Sequence, residues 1–100
     1  MAKVSFNDLI NSETPVLVDF YADWCGPCRA MAPVLKELKN DIGETGKIVK
    51  INVDHNQAIS NAFQIRGIPT FMVFQKGEMK WRASGMQTKK QLKEVMQALV

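Results

Sequence analysis

The spacing of apolar residues changes along the chain, and each spacing predicts a different element. Residues 6–10 predict a short opening helix. The apolar run Val16–Tyr21 is interrupted only by Asp19, a pattern typical of a strand covered on both faces. After it, apolar residues recur at steps of three and four, which predicts an amphipathic helix. Its buried stripe comprises Cys28, Met31, Leu35, Leu38 and Ile42.

The middle of the chain repeats this order of strand and helix. Lys47–Val53 is a second strand-like run rich in β-branched residues, and residues 56–63 again have helical spacing. An alternation of strands and helices implies parallel strands in one sheet, with helices packed on both of its faces.

The last third of the chain has a different, antiparallel pattern. The apolar run Thr70–Phe74, a turn at residues 76–77 and an alternating run over residues 79–84 predict a hairpin. Thr88 and Gln91 are spaced as a capping box at the start of a terminal amphipathic helix. We therefore predict an α/β fold with a central mixed sheet and helices on both faces.

Composition narrows the class of protein. A chain of 100 residues suits one small core, so we expect residues 1–100 to form a single domain. The net charge of +3 is modest, and no nucleic-acid-binding motif accompanies the basic residues, so we expect no nucleic-acid role. No apolar run has the length of a signal peptide or a membrane span, so we expect a cytoplasmic protein without membrane contact. A leader peptide that had been cleaved would not be visible in this sequence, so the alternative is the mature form of an exported protein.

The two cysteines, Cys25 and Cys28, allow three interpretations. A structural disulfide over two intervening residues would constrain the unfolded chain little, which disfavours a staple. A structural zinc site needs four ligands, and the only other candidate is a single histidine, His55, which is expected in a surface loop. A redox centre fits best. Cys25 would lie at a helix N-terminus, which favours its thiolate, while Cys28 lies on the apolar stripe and should be the more buried of the two.

The residues between and around the cysteines support this interpretation. Gly26 permits close approach of a partner chain, and Pro27 suits the first turn of a helix, where an N–H has no partner. This small pair should leave Cys25 uncovered.

Two segments, "VLVDFYADWCGPCRAMAPVLKEL" and "RGIPTFMVFQKGE", resemble the thioredoxin family in order and spacing. The resemblance covers about residues 5–99. It implies a thioredoxin fold with a four- or five-stranded sheet, and dithiol–disulfide exchange with no cofactor beyond the redox-active pair. It also implies that Cys25 is the nucleophile and Cys28 the resolving thiol. The surface that receives a partner would comprise Trp24, Gly26, Pro27, Gly67, Ile68, Pro69, Thr70, Gly85 and Met86.

The acid within the first strand gains a role from this resemblance. Burial should raise the pKa of Asp19 toward neutrality, and the family implies that it serves as general base toward Cys28. Lys50 takes the position of a nearby lysine that tunes this acid. A buried ion pair without catalytic purpose is the alternative for both residues.

The family also changes the expectation for Pro69. An Ile–Pro bond on its own is cis in only about one case in twenty. The resemblance instead implies a cis Pro69 facing the cysteines, with the backbone of Ile68 free to pair with a bound peptide as an added strand.

The chain departs from the family pattern at several positions. The segment before Cys25 is short, so the usual first strand is reduced to about residues 2–4 or missing. Tyr21 stands where many members have Trp, and Arg29 where many have Lys.

Three functions remain open. The leading one is a monomeric protein-disulfide reductase that acts on disulfide-containing proteins and is re-reduced by a thioredoxin reductase. The second is an oxidant or isomerase of an exported compartment, for which a His between the cysteines would be expected. The third is a binding module that uses the same apolar surface without redox chemistry.

Overall fold

The computed structural model describes residues 5–100. Helices and strands alternate along the first part of the chain, and the last two strands form a hairpin. In chain order they are α1 (Phe6–Ile10), β1 (Val16–Tyr21), α2 (Gly26–Ile42), β2 (Lys47–Asn52), α3 (Gln57–Ala62), β3 (Thr70–Gln75), β4 (Glu78–Ser84) and α4 (Lys89–Gln97). A short 3₁₀ turn, Gly43–Thr45, follows α2. Every element predicted from residue 6 onward is confirmed.

The four strands form one mixed sheet in the order β2-β1-β3-β4. β1 pairs with β2 in parallel and with β3 in antiparallel orientation, and β3 and β4 form the predicted hairpin. Its turn contains Lys76 and Gly77, both with positive φ, which suits a tight turn between twisted strands. The predicted strand remnant at residues 2–4 lies outside the described residues.

The sheet is covered on both faces, as the apolar run of β1 predicts. On one face, Leu17, Phe71 and Val73 pack against α2 and α4. On the other face, Val18, Phe20 and Met72 belong to a second cluster, which includes residues of α1 and α3. Alternate residues of β1 therefore face different helices, and β1 lies at the centre of the core.

The ends of the two longest helices are set by side chains already prominent in the sequence. Cys25 is the N-cap of α2, and its Sγ accepts a hydrogen bond from the Cys28 N–H. Thr88 caps α4 in the same way, because its hydroxyl accepts from the Gln91 N–H over 3.1 Å. Within residues 5–100, no helix combines the length and the apolar character needed to cross a bilayer.

Candidate active site

The two cysteines form a disulfide at the N-terminus of α2. A turn that follows β1 places them there, with the Cys25 N–H bonded to the Ala22 carbonyl over 3.2 Å. Their Cα atoms are 5.2 Å apart. The unpaired N–H groups and the positive end of the helix dipole are therefore directed at the Cys25 sulfur, which favours its thiolate after reduction.

Both cysteines are buried in this disulfide form. Cys25 is 4% exposed and Cys28 is 5% exposed, so the prediction that Cys25 is uncovered and Cys28 the more buried is wrong for this state. The reason is that Val53 and Ile68, from two other loops, pack against the pair. The sequence gives the small neighbours of Cys25 but not the residues that the fold brings over it.

Gly26, Pro27 and Trp24 form the exposed rim of the disulfide. Gly26 and Pro27 begin α2 and face solvent. The Trp24 side chain is 68% exposed, which is unusual for so large an apolar group. Its indole is nevertheless held in place, because Nε1 donates a 2.9 Å hydrogen bond to Oδ2 of Asp54.

The loop before β3 lies directly beside the cysteines. The Ile68–Pro69 peptide bond is cis, which confirms the prediction made from the family resemblance. The carbonyl oxygen of Ile68 is 3.8 Å from Cys25 Sγ. A partner sulfur that reacts with Cys25 would therefore arrive next to the Ile68 backbone.

Two hydrogen bonds fix the conformation of the loop that contains Ile68 and Pro69. The Gly85 N–H donates to the Pro69 carbonyl over 2.7 Å, and the Thr70 hydroxyl donates to the Gly67 carbonyl over 2.6 Å. Thr70 is fully buried, so its side chain supports the loop rather than facing a partner. Gly67 is exposed, and Met86, next to Gly85, is 56% exposed.

A shallow apolar groove of about 160 Å³ lies between Trp24 and this loop. Its lining includes three residues that our sequence analysis did not assign to the site: Val53, Ile65 and Arg66. Asp54, the acceptor for Trp24, was missed as well. These residues come from the segment between β2 and β3, and no short motif in the sequence links them to the cysteines.

Asp19 is buried on the α2 side of the sheet. It lies two residues after Leu17, which packs against α2, so the two side chains share a face of β1. Its Oδ1 has no hydrogen-bond partner within the described residues, and the side chain is 1% exposed. Burial raises the pKa of Asp19 to about 6, although the positive charge of Lys50 opposes that rise.

Lys50 stands directly opposite Asp19 in the β1–β2 register. It also contributes to a pocket of about 540 Å³ between the edge of the sheet and the first turns of α2. The pocket is lined by Tyr21, Ala22, Asp23, Cys28, Arg29, Ala32 and Lys50. Cys28 and Lys50 therefore line a common pocket, although Cys28 itself is largely buried.

His55 lies in the exposed turn after β2, as predicted, where its backbone N–H is bonded to Asn52. Over residues 5–100 there is no group of three or more His, Cys, Asp or Glu side chains that could hold a metal ion. The arrangement of the site is that of a disulfide at a helix N-terminus, next to the backbone of the Ile68–Pro69 loop.

Comparison with known proteins agrees with this geometry. The family model Thioredoxin matches residues 1–98. The chain belongs to the thioredoxin family. It is a thiol-disulfide oxidoreductase with an active-site Cys25/Cys28 pair, as its thioredoxin relatives also indicate.

Three relatives illustrate how far the similarity extends. Thioredoxin 1 of Chlorobaculum tepidum is 42% identical over 97 residues, which cover 95% of this chain and 96% of that protein. The chloroplastic thioredoxin Y1 of Arabidopsis thaliana is 45% identical over 89 residues, which cover 88% of this chain and 52% of the Arabidopsis protein. A mutant thioredoxin from Halobacterium salinarum NRC-1 has the same fold, with a TM-score of 0.86 and 36% identity over 98% of this chain and 85% of that one.

Proposed function

We propose that this chain, acting as a single domain, reduces disulfide bonds of other proteins. The Cys25 thiolate attacks one sulfur of the partner disulfide, and the other partner sulfur leaves as a thiolate. Cys28 then attacks Cys25 Sγ and displaces the second partner thiolate. Two electrons pass to the partner, and the Cys25–Cys28 disulfide is formed. The observation that carries the proposal is the position of this disulfide, at a helix N-terminus and 3.8 Å from the Ile68 carbonyl.

Asp19 is the proposed general base for the second step. Cys28 must lose a proton before it attacks, and a carboxylate with a pKa of about 6 is mostly ionised at neutral pH and can accept it. Asp19 is on the face of β1 that packs against α2, the helix that carries Cys28. Cys28 lines the same pocket as Lys50, the residue opposite Asp19 in the sheet, and the proposal is that water at this pocket relays the proton.

The partner is held by the exposed apolar surface and by the backbone beside it. Trp24, Gly26, Pro27 and Met86 provide the surface, and the Ile68–Pro69 backbone pairs with an extended partner segment. Gly67, Thr70 and Gly85 keep that loop in position.

The proposal extends to the cellular setting. The oxidised pair is returned to the dithiol by a thioredoxin reductase, so no cofactor is required beyond the pair itself. The chain acts in the cytoplasm as a monomer, without membrane or nucleic-acid partners. Its thioredoxin relatives and the Gly-Pro sequence between the cysteines support this assignment.

The order of attack can be tested with single serine variants and a disulfide-bonded model protein. Cys28→Ser should accumulate a mixed disulfide with that protein, because Cys25 attacks and nothing resolves the product. Cys25→Ser should accumulate none, and the double variant is the matched control. Accumulation with Cys25→Ser instead would show that the assigned order is wrong.

The role of Asp19 can be tested separately. Asp19→Asn should slow release from the mixed disulfide by roughly 100-fold or more at pH 7, because it removes a general base. The rate of the initial attack by Cys25 should change much less. Equal slowing of both steps would contradict a role toward Cys28.

A further inference from the structure

Lys50 has an aromatic partner that the catalytic proposal does not use. Its Nζ lies 4.6 Å from the centroid of the Tyr21 ring. Within residues 5–100, Nζ of Lys50 takes part in no salt bridge and no side-chain hydrogen bond. The face of Tyr21 is therefore the contact that fixes the position of this ammonium group.

The register of the sheet brings three side chains together at this point. Lys50 is opposite Asp19, and Tyr21 follows Asp19 by two residues, so all three lie on the same face of β1 and β2. Among the described residues β2 is the outermost strand of the sheet, and Lys50 is exposed, so its long side chain could take other directions. Contact with Tyr21 keeps its charge at the pocket that Cys28 also lines.

We propose that Tyr21 is a positioning residue for the redox reaction, which holds the Lys50 ammonium beside Asp19 and at the pocket that reaches Cys28. This inference rests on the proposed role of Asp19 as general base. A lysine has many rotamers, and its electrostatic effect on a nearby acid depends on how often its charge is close to that acid. By favouring one position, the ring of Tyr21 would strengthen the stabilisation of the Asp19 carboxylate.

Other charges near the pocket do not take over this role. Arg29 of α2 donates from Nη1 to the Asp23 carbonyl oxygen over 2.7 Å, so its guanidinium is already engaged. Asp23 is exposed in the loop after β1. On the opposite side, β3 presents Phe71 to Asp19 in the register, and α4 contributes apolar side chains to the neighbouring cluster.

The inference can be tested by measuring the pKa of Asp19 directly, from the NMR titration of its carboxyl carbon in the disulfide form. The cysteines do not titrate in that form. Tyr21→Leu should raise the Asp19 pKa measurably, by at most about 0.7 unit, which is the shift that the whole free energy of an exposed cation–π contact would produce. Tyr21→Phe keeps the ring and should leave the pKa within about 0.1 unit. Tyr21→Trp should leave it equal or slightly lower, because Trp is the best cation–π partner.

A second background separates electrostatics from packing. In Lys50→Met, the Asp19 pKa should be raised, and Tyr21→Leu should then add no further shift. An equal effect of Tyr21→Leu in both backgrounds would overturn the inference, because it would show a packing effect. So would an effect of Tyr21→Phe as large as that of Tyr21→Leu. Should Tyr21→Leu fail to fold, Tyr21→Met provides the same comparison.

These outcomes also distinguish failure of the positioning role of Tyr21 from failure of the roles proposed for Lys50 and Asp19. If Lys50→Met raises the Asp19 pKa and Tyr21→Leu does not, only the positioning role of Tyr21 fails. If Lys50→Met leaves the Asp19 pKa unchanged, the assignment of Lys50 as the residue that tunes Asp19 fails, and the inference fails with it. The assignment of Asp19 itself is decided by the release rate of Asp19→Asn, which does not depend on Tyr21.

Discussion

The indole of Trp24 is hydrogen-bonded to the carboxylate of Asp54, a residue 30 positions further along the chain. The bond joins the segment before the cysteines to the turn after β2. It holds a side chain that is 68% exposed in place beside the disulfide. Trp24 can then present a preordered apolar surface, which lowers the entropy lost on binding.

Asp54→Ala should therefore weaken partner binding more than it weakens the fold. We expect kcat/KM for reduction of a protein disulfide to fall by about two- to twelvefold, because ordering one freed side chain on binding costs about 0.5–1.5 kcal/mol. Steady-state kinetics would measure this effect. Fluorescence anisotropy in a Trp81→Phe background, where Trp24 is the only indole, would report the freer side chain.

Asp23→Ala is the matched control for this prediction. It removes the same charge from the exposed loop that precedes Trp24, and the indole N–H donates to Asp54 and not to the Asp23 carboxylate. An equal loss of activity in both variants would indicate a general charge effect and contradict the proposed role of the hydrogen bond.

Gly85 has a backbone conformation that other residues rarely adopt. Its φ is +88°, while its N–H holds the Pro69 carbonyl. Gly85→Ala should lower the free energy of unfolding by about 1–2 kcal/mol, because a Cβ is disfavoured at positive φ even where space is open. Urea denaturation would measure the loss.

Gly67→Ala provides the comparison on the other side of the same loop. A Cβ there would also meet open space, and the φ of Gly67 is not positive. We expect a change of at most about 0.5 kcal/mol. If the two alanine variants have equal stability, the strain argument for Gly85 is wrong.

Burial of Asp19 should make stability depend on pH. The pKa of Asp19 is raised from 3.8 to about 6 in the folded protein, so the folded state binds the proton more tightly than the unfolded state. Asp19 therefore makes its full contribution to the free energy of unfolding below about pH 4, and this contribution is lost as the pH rises through 6. At pH 7 to 8 the ionised carboxylate costs about 2–3 kcal/mol.

Asp19→Asn removes this titration and should stabilise the disulfide form by about that amount at pH 7 to 8. The gain should shrink between pH 6 and pH 4 and be nearly absent at pH 3.5. Denaturant unfolding at several pH values would measure it. A gain that is independent of pH would point to packing instead of charge burial.

The fold was largely predictable from residue patterns, because the apolar residues whose spacing predicts each helix and strand are the residues that are buried in the core. The unbroken apolar run of β1 lies at the centre of the sheet, and the stripe of α2 packs against it. The Lys76–Gly77 turn and the Thr88 cap follow from local chemistry.

The site was predictable only where its residues are adjacent in sequence or match the family pattern. The cis bond before Pro69 came from the family resemblance, because local preference favours trans. The burial of Cys25 and the Trp24–Asp54 bond depend on segments 28 to 43 residues away, whose approach no local pattern encodes.

The most direct test of the central claim is the redox potential of the Cys25–Cys28 pair, measured against a series of thiol–disulfide buffers at pH 7. Our account predicts a strongly reducing pair, below a glutathione poise of about −220 to −260 mV and near the roughly −270 mV of thioredoxin, a value that belongs to the family and is not calculated from this geometry. A potential near −180 mV or higher would contradict the reductase assignment and favour an oxidant or isomerase.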